Sequence, residues 1–308
     1  MRKPLALLTA AAAAIALSGC ATQLPFENKV NPWVVANHDE KVAYHAGAVS
    51  LLVNLDALAG IAALPAFQAV GYMHIETERN GKLNLEYVTS VDGESYVSRR
   101  VSNEPDDAYD QSHEAGSSVT YYLLGDNIKS QLSGGKRWVE VTFLGDLNRS
   151  VDASRICGLY SVTFMCALTN AWNISVDSGM NIPVQLSQGE AGDQHFATAV
   201  TYEALTDVYL IPKDGEFDGF LDDAARKTLI PLHFWVSEDG VVTKAEVNGV
   251  LTGADGQQLK LQVGFEITSR EPSTEMVPVA SSNVPNNDVY RITTQEQLDS
   301  FLSRLAAL

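Results

Sequence analysis

The sequence predicts an α+β fold in which one antiparallel sheet is covered by helices. Segments with a two-residue hydrophobic period follow one another through turns containing Gly and Asp, and segments with a helical period flank and interrupt them. The clearest strand signal spans 259–268, where five apolar residues alternate with five polar or small ones. Such alternation buries one face of a sheet and exposes the other, which is typical of antiparallel sheets.

The charge balance restricts the possible partners. The chain has 308 residues, of which 38 are acidic and 21 basic, and its net charge is −17. This field repels phosphate backbones, and no basic patch interrupts it, so the sequence argues against nucleic-acid binding. After residue 20, no stretch approaches the roughly 20 apolar residues that a membrane-spanning helix needs.

The first twenty residues predict an export signal. A short basic head precedes an apolar stretch from Leu5 to Leu17, which is too short to span a bilayer. The motif Leu17-Ser18-Gly19-Cys20 resembles the lipobox of bacterial lipoproteins. The resemblance implies a signal peptide at 1–19, cleavage before Cys20, and a diacylglycerol with palmitate-type chains on the Cys20 sulfur. An ordinary secretory signal with a chance cysteine and an uncleaved helix are the alternatives.

The anchor implied by the lipobox places the mature chain on the extracytoplasmic face of a membrane. Ala21 carries no retention charge, so the resemblance favours the outer membrane in a two-membrane bacterium; in a Gram-positive envelope the membrane is the plasma membrane. Residues 20–39 contain several Pro and Asn residues without a sustained period, which predicts a tether after the lipidated cysteine. Residues 40–308 are then expected to form a single domain.

The first half of this domain begins with a helix and continues as strands. Helical spacing predicts a helix from Glu40 to about Gln68, ended or kinked by Pro65, and a two-residue period begins after Gly71. A hairpin is expected at 83–101, around the turn Val91-Asp92-Gly93-Glu94. An irregular acidic loop then covers 102–117, and three more strands are predicted at 119–124, 128–132 and 138–143.

A helical insertion is predicted at about 145–180, and it contains Cys157 and Cys166. An exported chain favours a disulfide between them. One unbroken helix would separate these residues by about 13.5 Å, beyond the limit of about 7 Å between bridged Cα atoms, so a bridge needs a bend near Gly158. Two buried free thiols on a helix are the alternative.

Further strands and two helices complete the prediction. Strands are expected at 184–186 and 195–205, followed by a short helix at 218–228. A hairpin joins 230–236 to 241–251 through Glu238-Asp239-Gly240. After a loop rich in Pro, Asn and Ser, Thr294 is the expected N-cap of a C-terminal helix at 294–308.

Two further segments suggest a family. A Trp follows a Gly-Gly turn in the motif that runs from Gly134 to Val141, and an aromatic hairpin runs from Ile230 to Val247. Together with the lipobox and the first helix, these segments resemble the LppX/LprG-like lipoproteins, which share an architecture with LolA and LolB. The resemblance implies a curved antiparallel sheet that forms a half-barrel around helices, with an apolar cavity that carries acyl lipid or lipoglycan.

The strand faces provide candidate ligand contacts. A helix that packs imperfectly over a curved sheet leaves an apolar hollow, and apolar residues that alternate along the strands would line it. These residues are Leu83, Leu85, Tyr87, Leu232, Phe234, Val247, Leu261, Val263 and Phe265. Because apolar strand faces commonly just pack, the alternative is that all nine belong to a solid core.

No catalytic, metal or cofactor site is expected. The six histidines show no paired ligand spacing, and the sequence contains neither a Gly-x-Ser-x-Gly elbow nor a phosphate-binding Gly loop. Acidic residues at 106–114 lack the spacing of a calcium loop and are read as a solvated loop. Two His–carboxylate pairs are close in the sequence: His113 beside Glu114, and Asp193 near His195. Because no nucleophile accompanies either pair, neither predicts a catalytic site.

Two functions from different classes follow. The first is a non-catalytic carrier or binding module for an apolar ligand, held on a membrane by its lipid anchor. The second is a structural or protein-interaction lipoprotein of the cell envelope whose core is solid and whose acidic surface contacts an unidentified partner protein. They differ in whether a cavity under the sheet is open to an acyl chain.

Overall fold

A computed structural model describes residues 38–306, except for residue 54 and the segments 79–80, 103, 143–152, 189–192 and 212–217. The predicted signal peptide at 1–19 and the lipidation site Cys20 lie outside the described residues. So do all but the last two residues of the predicted tether at 20–39 and the first part of the predicted insertion at 145–180. Within these residues the chain forms twelve strands and seven α-helices.

One sheet of twelve strands organises the protein. Its spatial order is β12-β6-β5-β4-β3-β2-β1-β11-β10-β9-β8-β7, and neighbours are antiparallel except for the parallel pair β12 and β6. The sheet is curved and unclosed, which confirms the predicted α+β class with a curved antiparallel sheet. The strands are β1 Ala66–Thr77, β2 Gly81–Asp92, β3 Ser95–Val101, β4 Tyr109–His113, β5 Thr120–Leu124, β6 Trp138–Val141, β7 Gln185–Gln188, β8 Gln194–Thr201, β9 Leu229–Val236, β10 Val242–Thr252, β11 Gln258–Ser269 and β12 Val289–Ile292.

Helices cover the inner face of this sheet, which we define as the face that carries Phe67, Gly71 and Ile75 of β1. The helices are α1 His38–Val53, α2 Ala57–Ala62, α3 Asp126–Leu132, α4 Tyr160–Asp177, α5 Tyr202–Asp207, α6 Asp223–Arg226 and α7 Gln295–Ala306. A 3₁₀ turn, Ala153–Gly158, leads into α4.

The segments with strict alternation fold as predicted. β2 and β3 form a hairpin whose turn contains Gly93, and β9 and β10 form another whose turn contains Gly240. Both glycines have positive φ, 59° and 80°, which a glycine adopts without the steric cost that a Cβ would bring. The predicted strand at 259–268 is β11.

The predicted helix from Glu40 to Gln68 is wrong in extent. α1 ends at Val53, a second helix is capped by the Asp56 side chain, which accepts a hydrogen bond from Ala59 N at 2.8 Å, and β1 begins directly after Pro65. Sequence periodicity conceals the start of β1 because Val70 and Tyr72 place apolar groups on the face opposite the core. Pairing with β2 and β11 along its length makes this segment a central strand.

Other boundaries also differ from the predictions. The acidic loop at 102–117 contains a 3₁₀ turn and β4, and the strand expected at 128–132 is α3, which buries Ile128 and Leu132 four residues apart. The strand expected at 195–205 ends at Thr201, where the Thr201 side chain caps α5.

The helical elements also differ from the predicted ones. The insertion forms α4 after a 3₁₀ turn, and the helix expected at 218–228 is only α6. The loop before the C-terminal helix contains β12, which pairs in parallel with β6.

Two apolar cores lie on the inner face. The larger core packs α4, α1 and α2 against β1 and β8–β11. The smaller core packs α3 and α7 against β5, β6 and β12. Tyr87 and Tyr160 contact each other at the boundary between the two cores, with ring centroids 5.1 Å apart.

The larger core depends on Gly71 in β1. A Cβ at this position would lie 2.6 Å from Phe164 Cδ2 and 2.6 Å from the backbone oxygen of Ser161, so α4 rests directly on the strand backbone. Farther along the helix, Trp172 Nε1 donates to Thr198 Oγ1 at 2.9 Å, and Ser175 Oγ accepts from the backbone N of Thr201 at 3.1 Å. These contacts fix α4 across β1 and β8.

We expect Gly71→Ala to lower the free energy of unfolding by about 1–3 kcal/mol, because the added Cβ forces α4 away from β1. The matched variant Gly47→Ala, where no atom lies within 4 Å of the added Cβ in α1, should raise it by about 0.5–1 kcal/mol. Urea denaturation of both variants measures whether the free energy of unfolding falls in Gly71→Ala and rises in Gly47→Ala. A Gly71→Ala variant as stable as the unmodified chain would contradict the close packing of α4 on the β1 backbone.

Candidate functional site

The nine predicted ligand contacts all lie on the inner face of the sheet. Strand register places Phe265 beside Gly71 and Gly71 beside Tyr87, while Val247 lies between Val263 and Leu232. The set is thus brought together across β2, β11, β10 and β9. Six members are almost fully buried in the larger core, and Leu83, Leu85 and Tyr87 are partly buried against it.

A small cavity interrupts this core where α1 and α2 meet α4 and β9. Its volume is about 50 Å³. It is lined by Leu52, Val53, Leu55, Ala57, Thr169, Trp172, Asn173 and Phe234. Of the nine predicted contacts, Phe234 alone belongs to this lining. An engineered apolar cavity of about 150 Å³ binds benzene, and at about 50 Å³ this cavity is too small for an acyl chain in the present conformation.

Over this cavity, the part of α1 from His45 to Val53 is only partly buried. α1 buries Ala48 and Leu52 but leaves Leu51 and Val53 50% and 57% exposed. His45 Nδ1 lies 3.1 Å from the backbone oxygen of Val184, the residue before β7. Few buried apolar contacts make a segment one of the least costly parts of a fold to displace.

The far wall of the cavity is rigid by comparison. Cys157 and Cys166 form a disulfide with a Cα–Cα distance of 6.0 Å, which ties the 3₁₀ turn to the first turns of α4. The bend that a bridge requires lies at Gly158 and Leu159, just before α4 begins. The α4 side of the cavity is therefore held by the disulfide, by the close packing of α4 on Gly71 and by the Trp172–Thr198 hydrogen bond.

A tyrosine cluster closes the inner face toward the smaller core. The Tyr109 and Tyr160 rings pack edge to face at 5.4 Å, and Gln111 Nε2 donates to the Tyr122 hydroxyl at 3.1 Å. Burial raises the pKa of Tyr109, Tyr122 and Tyr160 well above the usual value, so these hydroxyls stay protonated. The cluster joins the two cores through hydrogen bonds and ring contacts.

The outer face of the sheet carries a second group that the sequence analysis missed. His195 Nε2 lies 2.9 Å from His233 Nδ1, a hydrogen-bond distance, and the two rings are nearly coplanar, with centroids 5.1 Å apart and an interplanar angle of 11°. The Trp235 ring stacks on His195 at 4.9 Å. Burial lowers the pKa of His195 to about 4, with a further contribution from His233, and burial also lowers the pKa of His233.

Charged and polar side chains adjoin this pair on β10, β11 and β1. Lys244 Nζ lies over the Trp235 ring at 5.3 Å, and it forms ion pairs with Glu246 at 3.6 Å and Glu266 at 3.3 Å. The Tyr72 hydroxyl donates to the Glu246 carboxylate, and burial, reinforced by that hydrogen bond, raises the Tyr72 pKa far above its usual value. Glu246 is only 6% exposed.

The other polar residues singled out in the sequence have structural roles. Asp110 accepts two 2.7 Å hydrogen bonds from Arg99, and Asp107 accepts one of 2.8 Å from Asn127. His113 is buried, and its Nδ1 lies 3.0 Å from the backbone oxygen of Val119. Within the described ranges, no three or more His, Cys, Asp or Glu side chains cluster in a way that could hold a metal ion.

The solved structures that are similar to this chain include three remote likenesses. The chain is similar to a LolA superfamily protein from Nitrosomonas europaea (8% identity, TM-score 0.24, covering 78% of this chain and 98% of that one). It is similar to a DUF1329 family protein from Desulfovibrio piger (10%, 0.20, 79% and 98%). It is also similar to an outer membrane lipoprotein-sorting protein domain from Vibrio parahaemolyticus (11%, 0.18, 78% and 96%).

No protein-family model and no curated protein sequence matches the chain. Likenesses with TM-scores this low carry no argument about function, so the fold class rests on the sheet itself and the resemblance to LppX/LprG-like lipoproteins stays a prediction. In the part of the chain that the structure describes, no helix combines the length and apolar character that crossing a membrane requires.

The histidine pair predicts a pH dependence of stability. Both pKa values are lowered in the folded state, so the unfolded chain binds protons first as pH falls below about 6.5. The contribution of the neutral histidine pair to the free energy of unfolding is complete above that pH and is lost as pH falls toward 4. We expect the slope of unfolding free energy between pH 6.5 and 4 to decrease in His195→Gln, measured by urea denaturation.

The control for this measurement is His74→Gln on the same outer face, where His74 Nδ1 lies 2.9 Å from Asn84 Oδ1. Equal slopes in His195→Gln and in the unmodified chain would show that the pair does not titrate as described.

Proposed function

We propose that the protein is a non-catalytic envelope lipoprotein that binds an apolar ligand, an acyl lipid or lipoglycan, between α1 and the inner face of the sheet. This function corresponds to the resemblance to LppX/LprG-like lipoproteins. The observation that supports it best is the cavity at the junction of α1, α2, α4 and β9. It lies beside the exposed residues Leu51 and Val53 of α1 and against the apolar surface that an acyl chain would contact.

Ligand entry in this proposal requires α1 to move. The cavity of about 50 Å³ grows when Leu52 and Ala48 leave the core, because both are buried residues of α1 and Leu52 lines the cavity together with Phe234. An acyl chain that replaces them restores the apolar contacts that α1 gives up, at about 0.8 kcal/mol for each buried methylene.

The second candidate, an interaction lipoprotein with a solid core, is favoured by a different observation. Over β1 the inner face is filled, because α4 contacts the backbone at Gly71 and leaves no space there for a ligand. In this alternative the small cavity is a packing defect, and the acidic surface that follows from a net charge of −17 contacts a partner protein. The two candidates make opposite predictions about lipid binding.

Blocking the cavity separates the two candidates. Thr169→Phe places a ring into the cavity lining, whereas Asn170→Phe adds the same ring to an exposed neighbour on α4 that does not line it. We expect Thr169→Phe to weaken binding of a dansyl-labelled fatty acid at least tenfold, measured by fluorescence titration, and Asn170→Phe to leave it unchanged.

Mass spectrometry of lipid extracted from the native protein complements this titration. Retained acyl lipid in the unmodified chain, reduced in Thr169→Phe, supports the proposal. No retained lipid, together with equal dansyl fatty acid binding by both variants, would replace it with the solid-core alternative.

The membrane anchor is tested on Cys20. Because only a thiol forms the thioether of a lipobox lipoprotein, Cys20→Ser should shift the chain from the membrane fraction to the soluble fraction of the exported material. Mass spectrometry of the N-terminal peptide of the unmodified chain should show cleavage before Cys20 and a diacylglycerol mass. An unmodified Cys20, or an unchanged distribution of Cys20→Ser, would overturn the anchor.

A further inference from the structure

The helices that surround the cavity carry almost no charged residues. The chain has 38 acidic and 21 basic residues, yet its sequence has none of them at 42–55, 57–65 or 156–176. These ranges contain α1 after its first turn, all of α2, and α4 up to the residue before its last. Because charged side chains are mostly exposed in proteins, their absence from exposed helix positions distinguishes this part of the surface from the rest.

Apolar side chains are exposed on these helices beside the cavity. Leu52 of α1 points into the core, so Leu51 and Val53 lie on the two flanks of the helix, and both are at least half exposed. On α4, Ile174 is 38% exposed. Val53 and the exposed Asn173 line the same cavity, which places the exposed sides of α1 and α4 next to each other. We define the neutral helix face as Leu51, Val53, Asn170, Asn173 and Ile174.

Acidic residues border the neutral helix face without entering it. Asp56 is the N-cap of α2, and its carboxylate accepts the hydrogen bond from Ala59 N at 2.8 Å. Asp177 is the last residue of α4, and the charged residues of α1 belong to its first turn. The charges therefore lie at the ends of these helices, and the face between them stays neutral in a chain whose net charge is −17.

We propose that the neutral helix face docks on the surface of a zwitterionic lipid bilayer, the one to which the Cys20 anchor attaches the chain. Exposed apolar residues of this kind mark contacts with a protein or a membrane. The anchor favours the membrane, because the predicted tether leads directly into α1, which begins at His38. The net charge of −17 favours zwitterionic lipid, since it repels an anionic surface.

The length of the predicted tether makes a weak docking surface sufficient. Cys20 precedes His38 by 18 residues, and a flexible chain of that length spans about 21–25 Å on average. Attachment through so short a chain gives the face a roughly millimolar effective concentration at the bilayer. The few exposed apolar side chains of α1 and α4 then suffice to keep an anchored protein docked, although they would hold a free protein only weakly.

Docking in this orientation brings the cavity next to the lipid. Val53 and Asn173 belong both to the neutral helix face and to the cavity lining, so a bilayer in contact with the face borders the cavity. When α1 moves, an acyl chain passes between bilayer and cavity without exposing its methylenes to water. The inference rests on the proposed function through the Cys20 anchor, and it adds the surface from which the ligand enters.

Photo-crosslinking to lipid maps the docked face. The chain purified with its anchor is placed in phosphatidylcholine vesicles that include an analogue with a diazirine on one acyl chain, and peptide mass spectrometry locates the adducts. We expect adducts at 46–53 in α1 and at 170–174 in α4. Leu51→Glu should lower their yield at least fivefold, because it places a carboxylate against the lipid. The matched control Val250→Glu adds the same charge at a position 55% exposed on β10 and should leave the yield unchanged.

Two variants separate docking from ligand binding. Leu51 does not line the cavity, so Leu51→Glu should bind dansyl-labelled fatty acid as the unmodified chain does. Thr169→Phe fills the cavity and leaves the neutral helix face in place, so its adducts should persist. Adducts that are lost in Thr169→Phe and kept in Leu51→Glu come from ligand inside the cavity. That result overturns the docking and supports the proposed function.

The remaining outcomes also decide the proposal. Adducts absent from α1 and α4, in a chain whose Cys20 carries the diacylglycerol, overturn the docking alone. An unmodified Cys20 in the same sample overturns the anchor and the docking together. A dimer of Cys20→Ser that Leu51→Glu dissociates, measured by analytical ultracentrifugation, assigns the face to a second copy of this chain and overturns the docking on lipid.

Discussion

The close contact between α4 and the central strand β1 is the constraint on which the rest of the structure depends. Because Gly71 has no side chain, the backbone of Ser161 reaches the strand, and the helix lies low over the middle of a curved sheet. This position fills the inner face over β1 and directs Trp172 to Thr198 on β8. The cavity described above lies at the far end of α4, where α1 and α2 complete the cover.

The sequence predicted those elements whose periodicity reflects burial on one face. The hairpins β2–β3 and β9–β10 and the strand β11 alternate in this way and were located correctly, whereas β1 was not, since Val70 and Tyr72 add apolar residues to its outer face. β4 was missed because its buried residues include Gln111, Ser112 and His113, which read as a polar loop until the neighbouring strands supply their partners. Local pattern fails where tertiary pairing decides the structure.

The sequence predicts which side chains share the inner face of the sheet, but it does not predict which of them line a cavity. Alternation identified nine side chains on the inner face correctly, yet only Phe234 lines the gap, because its size depends on side chains from α1, α2 and α4 that no strand pattern relates to β9. The histidine pair was invisible for a similar reason. A search for nearby ligand spacing finds histidines a few residues apart, whereas His195 and His233 are joined by strand register.

The two faces of β9 carry separate groups. Successive side chains of a strand point to opposite faces, so Phe234 faces the cavity while His233 and Trp235 face the outer surface. In the proposed opening, α1 moves and β9 stays paired with β8 and β10. The contact between His195 and His233 joins β8 to β9 on the outer face, so the Phe234 wall of the cavity would stay in place while its α1 side opens.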